Sequence, residues 1–287
     1  MKGLFIDNEY LQGEKYSVIY REFVKSFARS GVEIDKMSNA KAWELVNANG
    51  LYKYDFVLFW DKDLLLNERL ANLGYKVFNS AKAIALCDDK GATYNALYGK
   101  IKMPKTIIAP FTYENIGYTD YDFLTVAERE LGYPMVVKES HGSFGKQVYL
   151  VNDRKELLST AKRIGVKPFI MQEFISSSYG VDVRAQVVGD KVVAAVKRKG
   201  AEGSFVSNAS SGGKMEKFDI PAEFVDLAIK SAKGVGADFA GVDVLFGKND
   251  EPILCEINSN AHFKNLFDAT GVNTADYIAE YVLSKIK

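Results

Sequence analysis

Short apolar runs alternate along this chain with longer segments in which apolar residues recur every three or four positions. The first pattern is typical of buried strands and the second of amphipathic helices. In the first third, runs at 4–6, 55–60 and 75–78 predict strands, and a stripe over 15–30 that ends at Gly31 predicts a helix. Strands that alternate with helices in this way indicate an α/β protein with a small open parallel sheet.

The remaining two thirds continue the alternation and add hairpin signals. The predicted helices cover 80–85, 90–98, a segment ending at Gly132, 222–234 and 274–286. The predicted strands cover 106–109, 135–138 and 169–175, with hairpins over 183–199 and 241–258. The pair Gly189-Asp190 suits the turn of the first hairpin. A loop rich in Tyr, Thr, Asn and Gly between Pro110 and Tyr121 is predicted to be a flexible connection.

The last hairpin carries polar side chains inside apolar runs. Asp243 lies between valines, and Glu256 and Asn258 flank Ile257. Because alternate residues of a strand share a face, Glu256 and Asn258 point the same way, and a turn near Asn249 brings Asp243 opposite them. Two carboxylates and an amide oxygen are ligands that suit Mg²⁺ or Mn²⁺. A hairpin with ordinary solvent-facing acids would show the same alternation.

A second chemical signal is a glycine loop in the middle of the chain. Lys138 ends an apolar strand, and Gly142 and Gly145 follow in a small polar loop whose backbone N–H groups could approach phosphate oxygens. The spacing is not that of a Walker A loop. A plain hairpin loop after a solvated strand end is the alternative. Asp89-Lys90, at a predicted helix start, is also consistent with a cap and a surface lysine.

Composition narrows the class of protein. The 37 basic and 37 acidic residues balance, so no nucleic-acid partner is expected, and two cysteines and two histidines argue against a disulfide framework or a zinc site. The amino terminus does not fit a signal peptide, and no apolar run approaches the ~20 residues of a membrane span. No Gly-x-Gly-x-x-Gly fingerprint follows the first strand. We therefore expect a cytoplasmic protein without a membrane partner.

The order of these features resembles that of the ATP-grasp enzymes over residues 85–270. The matching pieces are Asp89-Lys90, 134–138, the glycine loop, 172–175, 182–184, Lys197-Arg198, Ser207-Asn208, Asp243 and 256–258. The runs 240–243 with 256–259, and 201–208 ahead of Gly212-Gly213, are most similar to the RimK-like branch of carboxylate–amine ligases. The resemblance implies an α+β ATP-grasp fold: a small parallel-sheet domain (1–82) followed by two subdomains that clamp the nucleotide, one with the phosphate loop (83–175) and one with the metal site (176–287).

The resemblance also implies roles for individual residues. ATP would be held by Lys90, Lys138, Ser143, Gly145 and Asn208 at its phosphates, by Glu173, Phe174 and Ile175 at adenine, and by Asp182 at the ribose. Two Mg²⁺ (or Mn²⁺) ions would bind Asp243, Glu256 and Asn258. Arg184 and Arg198 would face developing negative charge, and His262, Lys264 and Asn265 would lie beside the acceptor amino acid. The alternatives are surface salt bridges for the arginines, and a loop cap for Lys264 and Asn265.

The activity implied is ATP-dependent amide formation through an acyl phosphate. The partners would be ATP, an amino acid such as glutamate, and a carboxylate on a small molecule, a peptide or a carrier protein; a homo-oligomer is compatible with the apolar first domain. A carboxylate kinase or a non-catalytic ATP-binding module are the alternatives. Two positions depart from relatives: Gln147 stands where many have a glycine, and Val206 stands where ribosomal-protein glutamate ligases have arginine.

Overall fold

The amino-terminal part of the chain is a four-stranded sheet in which every strand pair is parallel, in the order β2-β1-β3-β4. The computed structural model describes residues 1–11, 13–48, 53–142, 145–207 and 213–286. The strands are β1 (Lys2–Asp7), β2 (Glu33–Ser38), β3 (Phe56–Phe59) and β4 (Val77–Phe78). The helices are α1 (Glu14–Ala28), α2 (Asn39–Asn47) and α3 (Leu64–Asn72). The predicted parallel sheet is confirmed.

Three elements of this amino-terminal part were not predicted from the apolar pattern: strand β2 and helices α2 and α3. Strand β2 lies at the sheet edge, and only Ile34 within it is fully buried, so its sequence is mostly charged and polar. Polar edge strands are common because they discourage pairing with other chains. Each missed helix has a side-chain cap, with Ser38 accepting from Lys41 N and Asp63 accepting from Leu66 N.

The middle of the chain forms an antiparallel sheet in the order β5-β8-β6-β7. Its strands are β5 (Thr106–Ile108), β6 (Met135–Glu139), β7 (Val148–Val151) and β8 (Phe169–Glu173). The helices of this part are α4 (Ala81–Asp88), α5 (Lys90–Leu97), α6 (Phe123–Leu131) and α7 (Arg154–Ile164). The connection between Pro110 and Tyr121 forms turns, and its flexibility stays a prediction.

The last part forms a five-stranded antiparallel sheet in the order β11-β10-β9-β12-β13. Its strands are β9 (Val181–Val188), β10 (Lys191–Lys199), β11 (Lys214–Lys217), β12 (Phe239–Phe246) and β13 (Pro252–Asn258). The helices are α8 (Ala222–Gly234), α9 (Lys264–Thr270) and α10 (Thr274–Ile286). Both predicted hairpins are present. In the described ranges, no helix is long and apolar enough to cross a bilayer.

Two shared cores join the three parts. Phe23 and Phe27 of α1 belong to one apolar cluster with Ile278 and Val282 of α10, so the last helix packs on the first domain. Burying a side chain of this size stabilises the fold by about 1.5–3 kcal/mol. Leu97 of α5 packs with the helices and strands of the last sheet. The proposed boundaries near residues 82 and 175 stay a prediction.

A single asparagine ties the end of β4 to the sheet that carries the predicted metal ligands. Asn79 is fully buried, and its Nδ2 donates to the carbonyl oxygens of Phe239 (2.9 Å) and Ser259 (3.1 Å). Its Oδ1 accepts from the backbone N–H of Asp238 at 2.6 Å and of Phe239 at 3.3 Å. The start of β12 and the end of β13 are therefore fixed against the first domain by one side chain.

Candidate active site

One cleft of about 560 Å³ runs between the three sheets. Every site residue predicted from the sequence that the structure describes lines this cleft. Ser143 and Asn208 lie outside the described residues. The sequence pattern therefore identified side chains that converge from separate sheets, while their individual roles stay predictions.

The hairpin of β12 and β13 has the predicted register. Asp243 pairs with Glu256, and Gly241 pairs with Asn258. The register then shifts by one residue, which leaves Cys255 as the extra residue of a bulge in β13. Ile257 is buried in the core, while Glu256 and Asn258 line the cleft. The alternation therefore places an acid and an amide side by side on the cleft wall.

Two lysines approach this wall from different elements. Lys90 is the first residue of α5, whose cap Asp89 accepts from Gly91 N (2.8 Å) and Ala92 N (3.1 Å). Its Nζ lies 3.9 Å from Glu256 Oε1. Lys138, near the end of β6, places its Nζ 3.9 Å from Cys255 Sγ. Two ammonium groups thus face the edge of β13 across the cleft.

Both arginines are buried in an array with two aspartates. Arg184 donates to both carboxylate oxygens of Asp243 through Nε and Nη2, the latter at 2.8 Å. Arg198 donates to both oxygens of Asp182 at 2.7 and 2.5 Å, and its Nη2 also lies 2.9 Å from Asp243 Oδ2. The arginine side chains are only 15% and 13% exposed. They are ion-paired, as the alternative interpretation held, but they are not on the surface.

The array shifts the ionisation of its members in opposite directions. Burial raises the pKa of Asp182 above its ordinary value, with Arg198 opposing the rise. Burial acts in the same sense on Asp243, but the charges of Arg184 and Arg198 outweigh it and hold the pKa of Asp243 below its ordinary value. Arg198, between the two carboxylates, has a raised pKa despite its burial. Two guanidinium groups and two carboxyl groups thus contact one another in a single array.

The far end of the cleft is apolar. Glu173, at the end of β8, is fixed by the backbone N–H of Lys105, which donates to Oε1 at 2.8 Å. Phe174 follows, and its ring meets those of Tyr179 and Phe205 edge-on at 6.1 and 6.5 Å. Phe174, Ile175 and Phe205 line this part of the cleft as a slot that could take a flat aromatic ligand.

The donor set beside the lysines suits a hard divalent cation. Glu256 and Asn258 offer oxygen atoms on one face of β13, and the buried Nδ2 of Asn258 has no hydrogen-bond partner among the described residues. Asp243 lies opposite, but both of its oxygens are bound by guanidinium groups. Within the described ranges, no cluster of three His, Cys, Asp or Glu side chains could hold a metal ion. The Glu256 and Asn258 side-chain oxygens are therefore the two protein ligands that the site offers to a cation, while Asp243 is held by the arginines.

The family model of the RimK-like ATP-grasp domain matches residues 87–282. The chain belongs to the RimK-like ATP-grasp family. The match begins at Cys87, just before Lys90, and includes all the strands that form the cleft walls described above. The resemblance inferred from the order of motifs is confirmed.

This RimK-like chain is similar to relatives that include a named synthase and a named ligase. It is 31% identical to N-acetylaspartylglutamate synthase A from Homo sapiens over 78% of this chain and 56% of that protein. It is 34% identical to a probable alpha-L-glutamate ligase from Legionella pneumophila over 76% of this chain and 70% of that protein. The chain thus spans about half the length of the human relative.

A solved structure confirms the fold. D-alanine–D-alanine ligase from Bacillus anthracis, complexed with ATP, superposes with a TM-score of 0.74 over 100% of this chain and 97% of that chain. The identity is 18%, so this likeness establishes the ATP-grasp fold and carries no statement about substrates. The predicted fold class is confirmed.

Several cleft residues of this RimK-like chain are absent from the sequence-based set. Glu14 and Val18 of α1, and Lys62 after β3, reach the cleft from the first domain, and Asp88 reaches it from the end of α4. Lys62 forms an ion pair with Asp88. No local pattern marks them, because their place in the site depends on how the first domain packs on the other two.

The segment after β13, which the sequence analysis assigned to the acceptor, lines the cleft. His262 lines the cleft, and its ring meets that of Tyr16 edge-on at 5.3 Å. Lys264 and Asn265 begin helix α9, and Lys264 forms an ion pair with Asp268 one turn later. Lys264 thus forms an ion pair within α9 and also lines the cleft.

Proposed function

We propose that this protein is an ATP-dependent carboxylate–amine ligase that adds an acidic amino acid such as glutamate to a carboxylate substrate. The observation that supports this most directly is the convergence of Lys90 and Lys138 on the edge of β13 that carries Glu256 and Asn258. Two cations, an acid and an amide in one cleft suit a polyphosphate with its metal ion. The names of two relatives, N-acetylaspartylglutamate synthase A and a probable alpha-L-glutamate ligase, support glutamate as the amino acid.

The nucleotide would lie along the cleft with its base in the apolar slot. Phe174 and Ile175 would cover the adenine, and the backbone beside Glu173 would meet its polar edge. Lys90 and Lys138 would hold the phosphates as point charges, a task suited to ammonium groups on flexible stems. Gly145, and Ser143 before it, would belong to the loop that covers the phosphates. Asn208 would contact the same phosphates.

Asp182 would accept a ribose hydroxyl in this arrangement. Since both of its oxygens accept from Arg198, that hydroxyl would share an oxygen or replace one bond. Glu256 and Asn258 would hold a divalent cation, which supplies positive charge between phosphate oxygens when it is bound. Asp243 would join them by exchanging part of its contact with Arg184.

The reaction needs activation of a carboxylate, because oxide is too poor a leaving group for direct attack by an amine. The carboxylate oxygen would attack the γ-phosphorus of ATP, forming an acyl phosphate and releasing ADP. The amine would then attack the acyl carbon, and phosphate would leave with formation of the amide and release of a proton. Arg184 and Arg198, held in fixed orientations by their aspartates, would stabilise the charge on the phosphoryl group and on the tetrahedral oxyanion.

The test is ADP release with Mg·ATP, scanning amino acids against small carboxylates. Turnover that requires both an amine and a carboxylate would support the ligase. Turnover with the carboxylate alone would indicate a carboxylate kinase, and nucleotide binding without turnover against a broad panel would indicate a binding module. The amide product is identified by mass spectrometry.

Glu256→Gln and Glu251→Gln make a matched pair for this assay. Both residues lie on the same hairpin, but Glu251 pairs with Lys102 outside the cleft lining. We expect Glu256→Gln to lower turnover by more than about 100-fold, since even the outer partners of metal ligands cost roughly 10–100-fold. Glu251→Gln should retain wild-type turnover. Equal activity of the two variants would contradict the assignment of Glu256.

A further inference from the structure

The first domain contributes one cation to the cleft, and the sequence analysis did not identify it. Among the described residues of 1–82, those lining the cleft are Glu14, Val18 and Lys62. Lys62 follows the carboxyl end of β3. Strand β1 lies between β2 on one side and β3 on the other. The order of the strands therefore reverses between β1 and β3. In open parallel sheets ligands bind outside the carboxyl ends of the strands at such a reversal.

The backbone at this point is held in place. The Lys62 N–H donates to Asp61 Oδ1 at 2.7 Å, and Asp61 is buried and also accepts from Asn8 Nδ2. Asn260, two residues beyond Asn258, donates from Nδ2 to the Asp61 carbonyl oxygen at 3.0 Å. The backbone of Lys62 is thus fixed beside Asn260, just after β13, the strand proposed to hold the metal ion.

The cations of the cleft differ in how firmly they are held. Arg184 and Arg198 are buried, and each binds both oxygens of an aspartate. Lys62 is paired with Asp88, and the two side chains are 48% and 23% exposed. Ion pairs that solvent reaches add little to stability, whereas removing one partner of a buried pair is costly. Lys62 is therefore a cation that an incoming anion can recruit.

Through Asp88, the Lys62–Asp88 pair is close in the chain to Lys90, which is proposed to hold the phosphates. Asp88 is two residues before Lys90, the lysine whose Nζ approaches Glu256. Cys87, beneath this wall, has its pKa raised to about 12 by burial, with Asp88 and Glu256 adding to the rise and Lys62 opposing it. The Lys62–Asp88 pair and Glu256 thus both lie near enough to Cys87 to influence its pKa, and all four residues line the cleft.

We propose that Lys62 is a specificity-determining residue that binds the side-chain carboxylate of the acidic amino acid substrate, which replaces Asp88 as its partner. This inference rests on the proposed function, and it makes the carboxyl end of the first sheet a wall of the amino acid site. The ligand class is an amino acid with an anionic side chain. A side-chain amide of the same shape carries no charge, so its contact with Lys62 is weaker.

The experiment compares binding of L-glutamate and L-glutamine to the full chain saturated with Mg·ADP, measured by isothermal titration calorimetry. Lys62→Met should weaken glutamate binding by about tenfold and change glutamine binding much less, because only glutamate loses a contact between two opposite charges. Lys62→Arg should restore most of the glutamate affinity. Asp88→Asn breaks the same ion pair but frees Lys62, so it should bind glutamate as tightly as the wild type or more tightly.

The outcomes separate this inference from the proposed function. Equal losses in Lys62→Met and Asp88→Asn would show that the ion pair only supports the fold, and would overturn the role of Lys62 while the wild type still binds glutamate. No glutamate binding by the wild-type protein would instead refute the proposed acceptor, and the role of Lys62 with it. A loss confined to Lys62→Met and to glutamate would support the inference.

Discussion

Substitution of Asp243 by asparagine should destabilise the protein strongly, because Asp243 joins two buried guanidinium groups. Its side chain is 7% exposed and accepts from Arg184 and Arg198. The asparagine variant removes the carboxylate that both arginines contact, and it leaves the Arg184 guanidinium without that ion-pair partner. Removing one partner of a buried ion pair costs about 3–5 kcal/mol. We expect a loss of that size in the free energy of unfolding.

Urea titrations followed by far-UV circular dichroism measure this loss. Tryptophan fluorescence is less suitable, since both tryptophans, Trp43 and Trp60, belong to the first domain. Asp226→Asn is the matched control, because Asp226 pairs with Lys230 on the surface of α8 and both side chains are more than half exposed. This control should change the free energy of unfolding by less than about 0.5 kcal/mol.

Two further measurements distinguish charge from packing. If an uncompensated charge causes the loss, then adding Arg184→Met to Asp243→Asn should recover part of it, which a double-mutant cycle detects. The pH dependence has a definite sign. Because the folded pKa of Asp243 lies below its ordinary value, its contribution is present above about pH 4 and disappears as the pH falls through the folded pKa. A loss below about 1 kcal/mol at pH 7 would refute the reasoning.

Other substitutions test the parts that hold the site in place. Asn79→Ala should lower the free energy of unfolding by about 2–4 kcal/mol in urea titrations, because it leaves several buried backbone groups without partners. Gly241→Ala should cost about 1–3 kcal/mol in the same assay, since its Cβ would lie 2.6 Å from Ala261 Cβ and 3.0 Å from Arg184 Cδ. Cys87 should resist iodoacetamide at pH 8 until denaturant is added, because a pKa of about 12 leaves only about 10⁻⁴ of the thiol ionised. Mass spectrometry of the labelled peptides checks this, and rapid labelling at Cys87 in the folded chain would contradict it.

The sequence predicted the hairpin of the site well, and for a physical reason. A strand buried on one face must alternate, and a short turn fixes which residues lie opposite each other. Asp243 therefore faces Glu256 as expected. The bulge at Cys255 was not predicted, because the same alternation is compatible with a regular ladder. The contact of Lys138 Nζ with Cys255 Sγ at 3.9 Å is likewise seen only in the structure.

The arginines illustrate a second limit. Their positions in the chain were sufficient to propose a role in the cleft, but not to predict their partners. Arg184 and Asp243 are 59 residues apart and meet because β9 and β12 are neighbours, with these two residues directly paired in the ladder. A strand order of this kind is set by packing of whole sheets rather than by local pattern. The sequence therefore indicated the charges but not that they neutralise one another.

The contribution of the first domain was the part least accessible from sequence, and this follows from how it is attached. Asn79 joins that domain to β12 and β13 through backbone groups, which every residue type possesses, so the partner positions carry no recognisable signature. Lys62 reaches the cleft only because this attachment, together with the packing of α1 on α10, fixes the end of β3 beside Asp88. If the amino acid site is built in this way, substrate choice in this chain depends on a domain outside the span that the family model matches. Conservation of the ATP-grasp residues alone would then be insufficient to fix the substrate.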